Sequence, residues 1–173
     1  MRSPDSGPSP DAPLASTPGS IRVARRADRD AVLALWLDLV AYHRQLDPDY
    51  PLPSGLRASL QRELERVLRS PHCSVWVAQE DGELAGFLLA ELEARRPSIP
   101  SGVRSCWIHE LFVSPEWRRR GIGRALVQHA EQFFESRGAG RPAVRVVSGN
   151  RAALRFWERA GFSEKARILE RDR

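Results

Sequence analysis

The nine residues RRRGIGRAL, at positions 118–126, place three arginines directly before two glycines, and an apolar run follows. A glycine turn that leads from a strand into a helix exposes unpaired backbone N–H groups, and the helix dipole there favours an anion. Glycine lets a phosphate approach the backbone closely, and neighbouring arginines add charge-assisted hydrogen bonds. The stretch therefore indicates a phosphate site at a helix N-terminus, although a tight turn with a solvated basic face explains the same residues.

Two common phosphate motifs do not fit this stretch. A Walker loop requires the pattern GxxxxGK[ST], and neither its spacing nor its lysine is present. A dinucleotide fingerprint requires GxGxxG, but Leu126 stands at the third glycine position. The GxG pair alone is a weak signal and needs support from the rest of the chain.

Composition predicts a globular protein with one domain. The 173 residues are 42% hydrophobic and 28% charged, which suits one buried core. Residues 1–19 contain five prolines and are rich in serine, so we expect a disordered leader ahead of a single domain at 20–173. The chain has no apolar run long enough to cross a bilayer and no apolar centre of a secretory signal. We therefore expect a cytoplasmic protein.

Charge and cysteine usage narrow the class of ligand. The formal net charge of +5 fits either nucleic acid or a small polyanionic ligand. Cys73 and Cys106 have no CxxC partner and no nearby zinc-ligand set, which predicts two free buried thiols and no metal site.

Hydrophobic periodicity predicts the element order β-α-α-β-β-β-α-β-α-β. Asp81-Gly82 lies between two apolar runs and indicates a hairpin. Since an antiparallel hairpin precedes a β-α-β-α-β run, the sheet should be mixed. The predicted strands are 21–24, the two arms of the hairpin within 74–92, and then 105–113, 143–147 and 162–170. The predicted helices are 28–45, a second helix with apolar positions from 56 to 68, and then 123–137 and 150–160.

Two segments together resemble the GCN5-related N-acetyltransferases, the GNAT superfamily. SPEWRRRGIGRAL closely resembles the family's acetyl-CoA pyrophosphate loop, [Q/R]xxGxG/A, and NRAALRFWERAGF resembles its NxxAxxFYxxxGF segment. The two motifs stand in the family's order and spacing, and the resemblance covers roughly residues 20–170. The matching residues are Arg118, Gly121 and Gly123 in the first motif and Asn150, Ala153, Phe156, Gly161 and Phe162 in the second.

The resemblance implies a fold and a ligand. The fold would be an α/β GNAT fold, with a mixed, mostly antiparallel sheet of six or seven strands, about four helices, and two parallel strands that splay apart at the acyl-CoA site. Amides of residues 119–125 would hold the pyrophosphate, and backbone groups near Leu111 and Val113 would pair with the pantetheine arm. The residues so assigned to acetyl-CoA are Leu111, Phe112, Val113, Arg118, Arg119, Arg120, Gly121, Ile122, Gly123, Arg124, Ala125, Asn150, Ala153, Phe156 and Trp157.

The implied activity is transfer of an acetyl group from acetyl-CoA to a primary amine by direct attack. A free alkyl amine has a pKa of about 10, so a base must remove its proton. His109 is the first candidate, because regular alternation puts it on one face with Leu111 and Val113 and because family bases are often found at this offset. Glu110 would point to the other face, but it can act through water if the strand bulges. A structural histidine and a surface carboxylate explain the same two residues.

Trp157 departs from the family pattern, which has a tyrosine acid at this position. Indole releases no proton at useful pH, so the CoA thiolate leaves unprotonated or receives a proton from water or His109. This departure supports the alternative of a non-catalytic acyl-CoA-binding domain. A nucleic-acid binder ranks third, because Trp36, Phe133 and Phe156 fall on predicted helix core faces rather than among exposed basic residues.

The sequence does not identify the acceptor. Residues 36–60 and 94–102 would shape its site, and both a small-molecule amine and a peptide fit. The expected partners are acetyl-CoA and an amine acceptor, with no nucleic acid and no membrane. Homodimers are common in the family, but the sequence leaves the oligomeric state open.

Overall fold

The protein is described here by a computed structural model, which covers residues 19–50, 52–93 and 105–167. The elements follow the predicted order as far as the fourth helix, which confirms the periodicity argument. In chain order they are β1 (Ser20–Val23), α1 (Arg29–Leu46), α2 (Leu56–Arg69), β2 (Cys73–Glu80), β3 (Glu83–Leu92), β4 (Cys106–Val113), α3 (Ile122–Ser136), β5 (Ala143–Val144) and α4 (Arg151–Arg159).

One mixed sheet organises these elements, with the strand order β1-β2-β3-β4-β5. The first four strands pair antiparallel, and β5 joins β4 in parallel. The β2–β3 hairpin turns at Asp81 and Gly82, whose φ angles are +48° and +88°. Two successive positive φ angles are typical of a type I′ turn, so the hairpin prediction is confirmed.

Each face of the sheet is covered by a separate pair of helices. On one face, α1 and α2 pack on Val75, Val77, Phe87 and Leu89. On the other face, α3 and the buried Trp157 of α4 pack on alternate residues of the same strands, such as Leu88 and Ala90. This alternation follows from the period of two in a β-strand. As predicted, Trp36 and Trp157 are buried, and Phe133 and Phe156 are partly buried against the core.

Local capping explains where the last two helices end. Gly138 and Gly161 follow α3 and α4 with φ angles of +62° and +91°. The amides of Gly138 and Ala139 donate to Glu135 and Phe134, which is the Schellman pattern. The same pattern recurs at Gly161, and there Phe162 lies with its ring centroid 4.9 Å from that of Trp157. Glycine is suited to these sites because L side chains disfavour positive φ.

The strand count is lower than expected. The described residues form five strands, not six or seven. The predicted strand 143–147 pairs only over Ala143–Val144, because the following residues diverge from β4. Of the predicted last strand, residues 162–167 have no regular secondary structure, and residues 168–170 lie outside the described part of the chain. The leader prediction also falls outside it, since residues 1–18 are not described.

Candidate functional site

The two parallel strands separate near the middle of β4. The pairing between β4 and β5 consists of Trp107 with Ala143 and Ile108 with Val144, while β4 continues to Val113. Beyond Ile108, therefore, β4 has no parallel neighbour among the described strands. This is the splay that the family resemblance implied.

A β-bulge in β4 lies directly after Ile108, the last residue of β4 that pairs with β5. On β3, the neighbours Leu89 and Ala90 pair with Glu110 and Ile108, so His109 is an extra residue in β4. A bulge of this kind interrupts the alternation of side chains. The prediction that His109 shares a face with Leu111 and Val113 is therefore wrong.

Contacts on each side of the sheet confirm the effect of the bulge. Leu111 and Val113 pack with the cluster that contains α3 and Trp157. His109 contacts Glu91, which in turn lies 3.7 Å from Arg66 of α2. Glu110 contacts Trp36 of α1. The bulge thus brings His109 and Glu110 to one face of the sheet, the face covered by α1 and α2.

Glu110 has the electrostatic properties of a base that works near neutral pH. Its side chain is partly buried, and burial raises its pKa to about 7. The indole N–H of Trp36 donates a hydrogen bond to the carboxylate, which lowers the pKa but does not cancel the effect of burial. Burial, together with the nearby charge of Glu110, raises the pKa of the Tyr50 phenol.

His109 is more exposed and contacts Glu91, a carboxylate that also lies close to Arg66. Its Nε2 lies 3.1 Å from a carboxylate oxygen of Glu91, and its side chain is 43% exposed. Arg66 binds Glu63 through two hydrogen bonds of 2.9 and 2.7 Å. These contacts hold the imidazole against β3, and the catalytic assignment of His109 stays a prediction.

The predicted phosphate loop has the backbone geometry of an anion site. Gly121, at the N-cap of α3, has a φ of +83°, and Arg119 also has a positive φ, of +67°. The first hydrogen bond of the helix runs from the amide of Ala125 to the carbonyl of Gly121. The amides of residues 122–124 therefore lie in the first turn without an intrahelical acceptor. The amide of Ala125 is engaged in the helix, and the assignment of this residue to acetyl-CoA stays a prediction.

The Arg118 side chain points away from this helix terminus. Its Nε donates a 2.9 Å hydrogen bond to the carbonyl of Val113. Its guanidinium carbon lies 5.4 Å from the ring centroid of Tyr42 and 5.7 Å from that of Phe112. Arg118 therefore joins the loop to the end of β4 and to α1.

The other assigned basic residues of the loop lie at the surface. Arg119, Arg120 and Arg124 are exposed. The guanidinium of Arg120 lies over the ring of Trp117, with its carbon 4.7 Å from the ring centroid. These three side chains lie beside the start of α3, where positive charge favours a phosphate.

The second motif serves the packing of α4. A Cβ on Gly123 would lie 3.2 Å from a ring carbon of Phe156, so glycine allows α3 and α4 to approach closely. Asn150 is 6% exposed, and its side-chain oxygen accepts a 3.0 Å hydrogen bond from the Ala153 amide, which confirms it as the N-cap of α4. Trp157 is 8% exposed and packs between Phe156 and Phe162.

The sequence interpretation missed three partners in this region: Trp36 for Glu110, Glu91 for His109 and Tyr42 for Arg118. Trp36 gave a partial signal, since a buried indole N–H needs an acceptor. The other two contacts join separate elements, and no local pattern in the sequence predicts them.

The cysteines take no part in the candidate site. Both thiols are free and buried, as predicted. Burial raises the pKa of Cys106 to about 11 and also raises the pKa of Cys73. Since the thiolate is the nucleophilic form, neither residue is suited to carry an acyl group at neutral pH. Within the described ranges, no group of three or more His, Cys, Asp and Glu residues is placed to hold a metal ion, and no helix has the length and apolarity to span a bilayer.

Comparison with known proteins identifies the family. The sequence model of the Acetyltransferase (GNAT) family matches residues 35–162. The chain belongs to this family. The match includes β4 with Glu110, the glycine loop and the whole of α4.

Individual GNAT relatives match over different shares of their length. The chain is 29% identical to the peptidyl-lysine N-acetyltransferase YiaC of Escherichia coli, over 82% of each chain. It is 33% identical to an uncharacterized N-acetyltransferase of Methanocaldococcus jannaschii, but that match spans 52% of this chain and only 43% of the relative. The aminoglycoside N-acetyltransferase AAC(6')-Iy, solved in complex with CoA, has the same fold, with a TM-score of 0.68, 18% identity and coverage of 89% of this chain and 98% of that one.

Proposed function

We propose that this GNAT protein is an N-acetyltransferase that transfers the acetyl group of acetyl-CoA to a primary amine, with Glu110 as the general base. The observation that carries the proposal is the Glu110 carboxylate itself. It has a pKa of about 7, and it follows the bulge where β4 and β5 separate. A base with this pKa is half ionised near neutral pH, which suits proton removal.

The reaction removes two protons from the acceptor nitrogen and exchanges a C–S bond for a C–N bond. Glu110, directly or through a water, accepts a proton from the acceptor ammonium. The neutral nitrogen then attacks the thioester carbonyl, so that a C–N bond forms and the C–S bond breaks. Backbone N–H groups of β4 that face the splay are available for the oxyanion, because β5 pairing ends at Ile108. The attached nitrogen then loses its second proton, to water or to the departing thiolate, so the products are an N-acetyl amide and CoA, and Glu110 returns the first proton to solvent.

The leaving group does not depend on a tyrosine acid in this chain. Trp157 replaces it and is buried against Phe156 and Phe162. A thiol has a pKa of about 8.5, so the thiolate is a good leaving group that water can protonate afterwards. This accounts for catalysis without a hydroxyl at position 157.

The acyl-CoA site is the glycine loop at the start of α3. Amides of residues 122–124 and the positive end of the helix bind the pyrophosphate, and nearby arginines add charge. The exposed side chains of Arg119, Arg120 and Arg124 supply that charge. Backbone groups near Leu111 and Val113 bind the pantetheine arm in the splay. No metal takes part in this scheme.

The acceptor class follows from the relatives and from Glu110. The names of YiaC and AAC(6')-Iy specify a lysine side chain and an aminoglycoside, and both carry amines. An ionised carboxylate attracts a cationic amine before it removes the proton. We therefore propose a primary amine of a small molecule or a peptide as the acceptor.

The test is release of free CoA thiol from acetyl-CoA with a panel of amine acceptors. The panel contains lysine peptides, aminoglycosides and simple diamines, and CoA binding is measured in parallel as thermal stabilisation. An acetyltransferase gives stabilisation by CoA and acceptor-dependent thiol release. The alternative favoured by Trp157, a non-catalytic acyl-CoA-binding domain, gives stabilisation without thiol release. If CoA does not raise the melting temperature of the protein, the proposed ligand is wrong.

The neighbouring residues His109 and Glu110 provide a matched pair of variants. Glu110→Gln keeps an oxygen that accepts from Trp36 but cannot take a proton, so we expect kcat to fall by about 10²-fold or more. His109→Gln removes the contact with Glu91 and should change kcat less than about tenfold. Steady-state thiol release measures both. The opposite ranking would return the base to His109.

A further inference from the structure

Helix α1 contacts two parts of the candidate site, and both lie far from this helix in sequence. Trp36 donates to Glu110, and Tyr42 lies under the Arg118 guanidinium. The two residues are six positions apart, which is about 9 Å along a helix. One rigid element therefore contacts both the proposed base and the proposed acyl-CoA loop.

We propose that Tyr42 is a positioning residue for the acyl-CoA loop and acts through Arg118. The proposal rests on the proposed function, because it concerns the same loop. Tyr42 need not touch acetyl-CoA. Its ring holds the Arg118 guanidinium, and Arg118 holds the start of the loop on the end of β4.

The contacts of Arg118 support this assignment. The Nε donates to the Val113 carbonyl at 2.9 Å, and the guanidinium carbon lies within 6 Å of the Tyr42 and Phe112 ring centroids, at 5.4 and 5.7 Å. Arginine over an aromatic face at this distance is a cation–π contact. Phe112 belongs to β4 and Tyr42 to α1, so the contact spans two elements.

The loop needs this support because its backbone is unfavourable. Arg119 follows Arg118 with a φ of +67°, a conformation that costs free energy for a residue with a Cβ. Gly121 adopts a second positive φ, of +83°, two residues later. At a residue with a Cβ, such as Arg119, this conformation persists only where neighbouring contacts fix it. Arg118 supplies contacts that join the loop to β4 and α1, and Arg120 over Trp117 supplies another at the loop itself.

The predicted effect is specific to the binding of CoA. Without the ring at position 42, Arg118 loses one of its two aromatic contacts and the loop samples other conformations. The amides of residues 122–124 then bind the pyrophosphate less well. The pKa of Glu110 should not change, because Trp36 and the burial of Glu110 do not depend on Tyr42. Tyr42 should therefore affect the KM for acetyl-CoA and not the pH dependence of kcat.

The test compares Tyr42→Leu with Tyr42→Phe, which keeps the ring and removes the hydroxyl. Calorimetry with CoA should show a Kd about three- to tenfold higher for Tyr42→Leu, and a Kd within about twofold of the wild type for Tyr42→Phe. The melting temperature without CoA should be similar in both variants. Arg118→Gln, at an exposed side chain, should raise the Kd at least as much by itself, because it also removes the Phe112 contact and the hydrogen bond to Val113.

The double variant separates positioning through Arg118 from any other effect. In the Arg118→Gln background, Tyr42→Leu should raise the Kd for CoA no further. The assignment is overturned if Tyr42→Leu leaves the Kd unchanged, if Tyr42→Phe weakens binding as much as Tyr42→Leu, or if the two substitutions add. If Tyr42→Leu does not fold, an unchanged Kd in Arg118→Gln overturns it. Wild-type protein that gives no heat with CoA contradicts the proposed function as well, and wild-type protein that binds CoA without turnover contradicts only the catalytic part.

Discussion

Glu110 owes its proposed role to one extra residue in a strand. Without the bulge at His109, Glu110 would lie on the opposite face of the sheet from a histidine at that position. With the bulge, both residues face α1 and α2, and only Glu110 lies against Trp36. The chemistry of the site thus depends on the environment of a side chain and not on its residue type alone.

The raised pKa of Glu110 has a consequence for stability. An unperturbed glutamate has a pKa of about 4.3, and burial raises that of Glu110 to about 7. Between these values the folded chain holds a proton that the unfolded chain releases. The contribution of Glu110 to the free energy of unfolding therefore falls as pH rises through this window.

Glu110→Gln should accordingly stabilise the protein at high pH. The amide carries no charge to desolvate and still accepts from Trp36. We expect a free energy of unfolding higher than that of the wild type by about 1–3 kcal/mol at pH 8, and a much smaller difference at pH 5. Urea denaturation at the two pH values measures this. If the two proteins differ in the free energy of unfolding by the same amount at pH 5 and pH 8, ionisation of Glu110 does not destabilise the fold.

At the scale of elements, the site is formed where helix termini meet the open end of the sheet. The N-terminus of α3 supplies amides, and Gly123 lets Phe156 of α4 approach to close contact. Asn150 fixes the start of α4 by its hydrogen bond to the Ala153 amide. This cap holds the N-terminus of α4 in a defined position.

The cap of α4 gives a prediction about stability. Asn150→Ala removes the acceptor for the Ala153 amide at a buried position, and we expect a loss of about 1–2 kcal/mol in the free energy of unfolding. Asn150→Ser is the matched control, because serine is also a good N-cap, and it should retain most of the stability. Chemical denaturation of the two variants measures the difference. If the alanine variant is as stable as the serine variant, the hydrogen bond does not stabilise α4.

For the whole molecule, local patterns predicted more of the fold than of the site. The hairpin at Asp81-Gly82 and the ends of α3 and α4 depend on residues close in sequence, and these predictions are confirmed. The predicted length of β5 was wrong, because strand pairing depends on a partner that is distant in sequence. In the structure, β5 diverges from β4 after Val144. Alternation along β4 failed at His109 for a similar reason, since a bulge is a property of two paired strands.

The parts of the candidate site that depend on residues close in sequence were predicted better than the contacts between distant elements. The glycine loop was visible as a motif, and Gly121 has the positive φ that such a turn requires. The contacts of Glu110 with Trp36 and of Arg118 with Tyr42 join β4 and its loop to a helix some 70 residues away. They arise only when the sheet and α1 pack together. The binding roles of the loop residues and the identity of the base stay predictions.

The most direct test of the account is the pH dependence of kcat/KM for acetyl transfer in the wild type and in Glu110→Gln. The wild-type profile should rise with an inflection near pH 7, because the carboxylate form of Glu110 is the active one and its pKa is about 7. Glu110→Gln should bind CoA with unchanged affinity, react far more slowly and lack this inflection. An inflection near pH 7 that persists at full rate in Glu110→Gln would contradict the assignment of the base.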